Sequence, residues 1–234
     1  MKVLYRISEA GYAKVKPAYV NPRNIFKHFI KVFSGHEIYV IADNVSDSLY
    51  EFLCNYSKPD HIMRTRLSNA GAFMYAVQFA IKHFDDKDIV YFAEDDYIYT
   101  AHAPMIIEEG LNVADYSSGY DHPDKYINRS EGGPNPFITE GGEQTRVVMT
   151  PSSHWKHTNS CCMTFATTVR IIKEDLDMYK RYCGGRHPYD FQLFQDLINN
   201  RKRKLVSSIP SVSTHGEVEG LARLIDWEKE VQNQ

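Results

Sequence analysis

The chain has 234 residues with 27 basic and 30 acidic side chains, a net charge of −3, and is 43% hydrophobic and 13% aromatic, which suits one large domain or two small ones with a sizeable core. The near-neutral balance gives no electrostatic case for nucleic-acid binding over a broad surface. No run approaches the ~20 apolar residues of a membrane span, and "MKVLYRISEAG" has no apolar leader core or cleavage site, so a cytoplasmic protein is expected.

In chain order, "KVLYRIS" reads as a strand and "NPRNIFKHFIKVFSG" as a helix, with Asn21 as cap, Pro22 in the first turn and Gly35 at the stop. Ile25, Phe26, Phe29, Ile30 and Phe33 make its apolar face. "HEIYVIAD" (strand), "SDSLYEFLCNY" (short helix), "HIMRTRL" (strand), "NAGAFMYAVQFAIKHF" (long helix) and "DIVYFA" (strand) follow. This alternation predicts βαβ units and an α/β fold built on a parallel sheet. Right-handed crossovers put the carboxyl ends of the strands on one edge, where open sheets bind ligands. Ser8, Asp43, Arg64 or Arg66, and Glu94-Asp95-Asp96 should gather there.

From Ser117 to Ser160 the chain is rich in Gly, Pro, Asn, His and Thr, and a connection this long is expected to be functional or mobile. "EGGPNPFITEGG" within it reads as a lid or as plain loop. Regular patterns then return: "CCMTFAT" (strand), "TTVRIIKEDLDMYKRY" (helix, with Glu174, Asp175 and Asp177 on a charged face), "YDFQLFQDLINNRK" (helix), "KLVSSI" (strand) and the amphipathic "GLARLIDWEKEVQ". No repeat or linker divides the chain, so one domain over 1–234 is expected. Cys54, Cys161, Cys162 and Cys183 contain no C-x-x-C pair, which argues against zinc and for reduced, buried thiols; Cys161 and Cys162 are expected side by side on a strand.

The run "DIVYFAEDDYIY" sets three carboxylates between two apolar segments, where ionised groups are costly to bury without a counter-charge. Acids at a strand's carboxyl end suit a hard divalent cation, Mn²⁺ or Mg²⁺, which also bridges to a diphosphate. A solvated acidic turn is the alternative.

On these residues the chain resembles the metal-dependent GT-A fold glycosyltransferases. "LSNAGAFMYAVQFAIKHFDDKDIVYFAEDDYIY" is similar to their core: Asn69 and Gly71 at a helix start, then an apolar strand ending in the acidic DxD-type motif, here Glu94-Asp95-Asp96. The likeness is sharp from Arg64 to Tyr99 and looser beyond. In size the chain is similar to small soluble members from bacteria and large DNA viruses. The resemblance implies a mixed, mainly parallel sheet flanked by helices, with residues 1–100 binding the nucleotide-sugar and a loop-rich half, 101–234, binding the acceptor. It implies that Asp96 binds the metal, that Asp95 contacts the ribose or a metal-bound water, and that Asp43 and the Arg64/Arg66 region hold base and phosphates. Ser8, Asn69 and Glu94 fall in the same donor group. His215 in "STHGEVEG" matches a further metal ligand, or is a loop histidine in a flexible polar turn.

An inverting transfer also needs a base for the acceptor hydroxyl. Asp190, at the start of a helix, fits that role, and also that of a helix cap. His154, Lys156 and His157 are candidates for the diphosphate and Trp155 for a stacking floor under the acceptor; a polar loop around one buried Trp accounts for the same run. The expected activity is inverting transfer from a nucleotide diphosphate sugar to a glycan, lipid-linked or protein acceptor, with UDP first and GDP second as carrier. The alternatives are a retaining transferase, a sugar-phosphate nucleotidyltransferase (disfavoured by the missing G-x-G-x-R loop after the first strand), and a non-catalytic nucleotide-sugar-binding module.

Overall fold

A computed structural model describes residues 1–10 and 15–232. Its frame is a nine-stranded mixed sheet in the order β3-β2-β1-β4-β9-β6-β10-β8-β7. The strands are β1 (Lys2–Ser8), β2 (Glu37–Asp43), β3 (Ile62–Thr65), β4 (Ile89–Glu94), β6 (Tyr116–Ser118), β7 (Val147–Met149), β8 (His154–His157), β9 (Phe165–Thr168) and β10 (Leu205–Ile209). β9 and β8 run against the rest, so the sheet is mostly parallel. A separate two-stranded ribbon joins β5 (Tyr97–Tyr99) to β11 (Ser213–His215).

The apolar alternation of β1 explains the layering. Val3, Tyr5 and Ile7 face one core layer and Leu4 the other. The first layer is closed by α1 (Pro22–Val32), α2 (Asp47–Cys54), α4 (Ala103–Glu109) and α8 (Trp227–Gln232), through Phe26, Phe29, Leu53, Ile107 and Trp227. The second is closed by α3 (Asn69–His83), α5 (Val169–Glu174), α6 (Leu176–Tyr182) and α7 (Asp190–Asn199), through Phe73, Ile172, Tyr179 and Phe194. The Asn21 side chain caps α1 by accepting from Asn24 N at 3.0 Å, and Ser68 caps α3 by accepting from Gly71 N at 3.1 Å.

Three expectations change. The loop-rich stretch contributes β6, β7 and β8 to the sheet, each only three or four residues long and so too short to show a period-two signal. Cys161 and Cys162 precede β9 rather than lying on a strand, although all four cysteines are free thiols as expected. The helix expected from Thr167 to Tyr182 is broken at Asp175 into α5 and α6.

The break has a cause. Asp175 is 0% exposed and belongs to no charged surface face. Arg203 grips it in a fork, Nε to Oδ2 at 2.8 Å and Nη2 to Oδ1 at 3.0 Å. Tyr116 Oη donates to Oδ2 at 2.6 Å, and Tyr179 Oη donates to Tyr116 Oη at 3.0 Å. The network ties the α5–α6 junction to β6 and to the chain leading into β10. Arg203→Ala leaves the Asp175 carboxylate unpaired in the interior, and should cost about 3–5 kcal/mol of folding stability, measured by denaturant unfolding.

Candidate active site

The carboxyl ends of β1, β2 and β4 open into a cleft of about 870 Å³. Ser8, Asp43, Asn69, Glu94, Asp95, Asp96, Asp190 and His215 all line it. The three neighbouring acids are held in three different ways.

Register decides the first. β1 and β4 are parallel, with Arg6 opposite Glu94, and both side chains leave the sheet on the Phe73 side. Arg6 Nη2 lies 2.9 Å from Glu94 Oε1, and its guanidinium sits 5.3 Å from the Phe73 ring centre. Asn69 Oδ1 accepts from Arg6 Nη1 at 2.8 Å, and Thr164 Oγ1 donates to Glu94 Oε2 at 3.2 Å. Arg6 is thus the counter-charge of Glu94.

Asp95 Oδ2 accepts the backbone N–H of Ser8 at 2.8 Å. Burial pushes its carboxyl up and the adjacent Asp96 charge adds to this, against the pull of the Ser8 N–H. Asp96 goes the other way. Burial opposes its charge, but His215 and Lys16 outweigh that and hold it well below the usual carboxylate range. Lys16 Nζ is 2.8 Å and His215 Nε2 3.4 Å from the same atom, Asp96 Oδ2.

His215 arrives through the ribbon and lies on a paired strand, not in a flexible turn: β11 runs antiparallel to β5, with His215 opposite Tyr97, the residue after Asp96. Glu217 follows, its Oε1 3.6 Å from His215 Nδ1. One ligand atom from each of Asp96, His215 and Glu217 lies within 4.8 Å of the others. Two carboxylates and an imidazole are a donor set that fits Mn²⁺ or Mg²⁺. Gly216 makes the approach possible: its N–H donates to Asp96 O at 2.6 Å, and an added Cβ would lie 2.7 Å from that oxygen and from Val20 Cγ1.

Asp190 opens α7, its Oδ1 accepting from Phe191 N at 2.7 Å. Burial raises its carboxyl, the Phe191 N–H lowers it, and the Glu94 charge raises it again; the net direction is up. The N-cap of α7 is Tyr189, so Asp190 is the first helical residue and not the cap. Beside Asp190, Phe137 is 60% exposed and stacks on Phe191 with ring centres 6.0 Å apart, and Tyr189 is also 60% exposed. Cys162 faces the cleft too, but burial and then the Asp190 charge push its thiol up.

Several expected site residues lie elsewhere. Arg64 and Arg66 do not line the cleft. Arg64 turns to α2, with Nη2 2.7 Å from Asp47 Oδ1 and 2.9 Å from Val45 O, and Arg66 is exposed. The arginines that line the cleft are Arg6 and Arg186, and the segment of Arg186 is pinned to α3 by Ala70 N donating to Arg186 O at 3.2 Å. Asp43 lines the cleft, yet its oxygens hold the β2–β3 edge: Oδ1 accepts from Leu67 N at 2.6 Å and Thr65 Oγ1 at 2.9 Å.

His154, Trp155, Lys156 and His157 form β8, near the far edge of the sheet, and none lines the cleft. Trp155 is 0% exposed, with Nε1 donating to Thr150 Oγ1 at 2.8 Å, so it offers no stacking floor. Lys156 is buried against Asp121 at 2.7 Å and Glu143 at 3.3 Å. Arg6, Lys16, Arg186 and Glu217 were missed. Arg6 had a signal, a charge inside an apolar strand, and Glu217 another, an acid two places after His215.

No protein-family model and no curated protein matches the chain. Among solved structures it is similar to one described as a candidate nucleotide-diphospho-sugar transferase from Desulfovibrio desulfuricans G20, at 12% identity and a TM-score of 0.52, over 88% of this chain and 78% of that one. It also matches the galactosyltransferase LgtC in complex with donor and acceptor sugar analogues (10% identity, TM-score 0.47, 88% and 73% covered). A third match is the 4-diphosphocytidyl-2C-methyl-D-erythritol synthase of Anaerococcus prevotii DSM 20548 (14%, 0.48, 99% and 93%). At those scores the last two add nothing to the fold assignment. The first agrees with the expected architecture, a mixed, mostly parallel GT-A-like sheet flanked by helices. No helix among the described residues is long and apolar enough to cross a membrane.

Gly216→Ala should push the His215–Glu217 turn off Asp96. The expected outcome is a stability loss of about 1–3 kcal/mol together with weakened Mn²⁺ binding, read by thermal melts with and without the ion.

Proposed function

We propose that the chain is an inverting glycosyltransferase that moves a sugar from a nucleotide diphosphate sugar, UDP-linked first and GDP-linked second, to an acceptor hydroxyl. The observation that carries this reading is Asp190: a half-buried carboxylate of raised basicity, with no ion pair among the described residues, in the same cleft as Asp96 and His215 of the Asp96–His215–Glu217 donor set.

Asp96, His215 and Glu217 would hold Mn²⁺ or Mg²⁺. When bound, such an ion screens the diphosphate and makes the nucleoside diphosphate a better leaving group. Ser8 and Asp95 edge the donor side of the cleft, and Asn69 works through Arg6, which neutralises Glu94 and keeps that carboxylate from repelling the donor. Arg186, which makes no ion pair with the described residues, supplies positive charge to the phosphates or to the donor sugar. Asp190 takes the proton of the acceptor hydroxyl as the oxygen attacks the anomeric carbon from the face opposite the leaving group, so the configuration inverts. Its environment suits this task, because a carboxyl held above its ordinary value is a stronger base once ionised.

The acceptor's place is beside Asp190. Phe137, stacked on Phe191, and Tyr189 present exposed rings there, and such faces suit the C–H face of a pyranose. This favours a glycan acceptor over a protein one.

Asp190→Asn should keep Mn²⁺-dependent binding of the nucleotide sugar and lose transfer by roughly 10²–10⁴-fold. The base works only when ionised, so in the unmodified protein kcat/KM should fall as pH drops through the raised Asp190 value, with an acid limb above the ordinary carboxylate range of about 4. A product of retained configuration, or full activity in Asp190→Asn, would remove the base. Phe137→Ala and Tyr189→Ala should each raise the acceptor KM several-fold, on the order of 1 kcal/mol, and leave the donor KM unchanged; equal effects on both would place the rings elsewhere in the cycle.

A further inference from the structure

The contact between Lys16 and Asp96 is incompatible with a cation simply adding to the site. Lys16 Nζ lies 2.8 Å from Asp96 Oδ2, the oxygen that also faces His215 Nε2 at 3.4 Å. A divalent ion binds a carboxylate oxygen at about 2.0–2.2 Å. Placed on that oxygen, it would share a largely buried space with an ammonium only a few ångströms away, and like charges in such a space repel strongly. The ion and Lys16 therefore exclude one another at Asp96.

The chain around Lys16 is arranged so that the side chain alone need move. The backbone beside it is anchored, with Val218 N donating to Val15 O at 3.0 Å, immediately after the ligand Glu217. The side chain is 30% exposed and lines the cleft. An ammonium on a flexible four-carbon stem leaves one partner for another at low cost. Once Asp96 is taken, the nearest use for that charge is an anion in the same cleft.

We propose that Lys16 is a built-in counter-ion of Asp96, which a divalent cation must displace and which then turns to the donor's diphosphate. It occupies the cation's place when the cleft is empty and joins the anion's binding site when the cleft is filled. The net charge of the site is thereby the same in both states, and binding of cation and diphosphate is coupled. This rests on the reading that Asp96, His215 and Glu217 hold a divalent cation.

The test is Mn²⁺ binding to the purified protein without nucleotide, followed by electron paramagnetic resonance of the free ion. Lys16→Met should bind Mn²⁺ roughly tenfold more tightly than the unmodified chain, the scale expected when one charge within contact distance of a ligand is removed. Lys16→Arg, which keeps the charge, should stay close to the unmodified value. At saturating Mn²⁺, UDP should bind several-fold more weakly to Lys16→Met. Lys16→Gln serves the same purpose should the Met variant fail to fold. Unchanged or weaker Mn²⁺ binding by the charge-removed variant, with measurable binding by the unmodified chain, overturns the displacement alone. Absence of Mn²⁺ binding in every variant, matched by Asp96→Asn, overturns the cation reading and the displacement with it.

Discussion

The site depends on keeping three adjacent carboxylates ionisable at the end of a buried strand. Their mutual repulsion would push the turn after β4 apart unless each had its own compensation. The fold supplies three unlike ones. Glu94 receives a buried guanidinium from the neighbouring strand, Asp95 a backbone N–H, and Asp96 an ammonium with an imidazole. The differences matter more than the shared charge. A carboxylate locked to Arg6 is structural, since breaking a buried pair of this kind leaves an uncompensated charge. One held only by Ser8 N–H drifts toward its protonated form. One held by the Lys16 ammonium and the His215 ring is kept low, and the flexible Lys16 stem lets it exchange partners.

Parallel pairing is the source of this order. Adjacent parallel strands in register set Arg6 beside Glu94 as they set Leu4 beside Phe92, so the ion pair is one more rung of the sheet. Asn69 then orients Arg6 from the start of α3. The β5–β11 ribbon adds a second constraint. It returns the chain, more than a hundred residues after the acidic turn, to a point opposite Tyr97. Gly216 lets the two backbones meet. The donor set therefore straddles two distant parts of the chain, and neither part alone brings the three ligand atoms together.

The readable parts of the sequence were those where one physical term dominates. In the first hundred residues, apolar periodicity and helix caps locate α1, α2 and α3 and the four parallel strands to within a few residues. The acid run was legible for the same reason: charge against a sticky background needs an explanation. The second half mixes its terms. β6, β7 and β8 are too short for alternation to show. Asp175 looks like part of a solvated helix face until Arg203, 28 positions on, is brought against it. Trp155 and Lys156 were read as loop residues because their partners, Thr150, Asp121 and Glu143, are chosen by tertiary packing. Arg64 follows the right strand, but Asp47 and Val45 draw it over α2 and away from the cleft. Position after a strand selects an edge; the nearest available partner selects a direction.

The same logic singles out Asp190. Five acids line the cleft: Asp43, Glu94, Asp95, Asp96 and Asp190. Asp43 is spent on the β2–β3 edge, and Glu94 on Arg6. Asp95 and Asp96 repel one another and divide the Ser8 N–H, Lys16 and His215 between them. Asp190 is half-buried with one local N–H and no ion pair among the described residues. A carboxylate in that position is costly to ionise and gains most from taking up a proton. The ion pairs of Glu94 and Asp96 weaken them as bases; Asp95 is pushed up as Asp190 is, but it sits in the acidic turn beside Asp96, whereas Asp190 stands apart at the start of α7. A cleft that gathers acids at the ends of β2 and β4 and leaves one carboxylate without an ion pair among the described residues beside exposed rings has two chemically unlike ends.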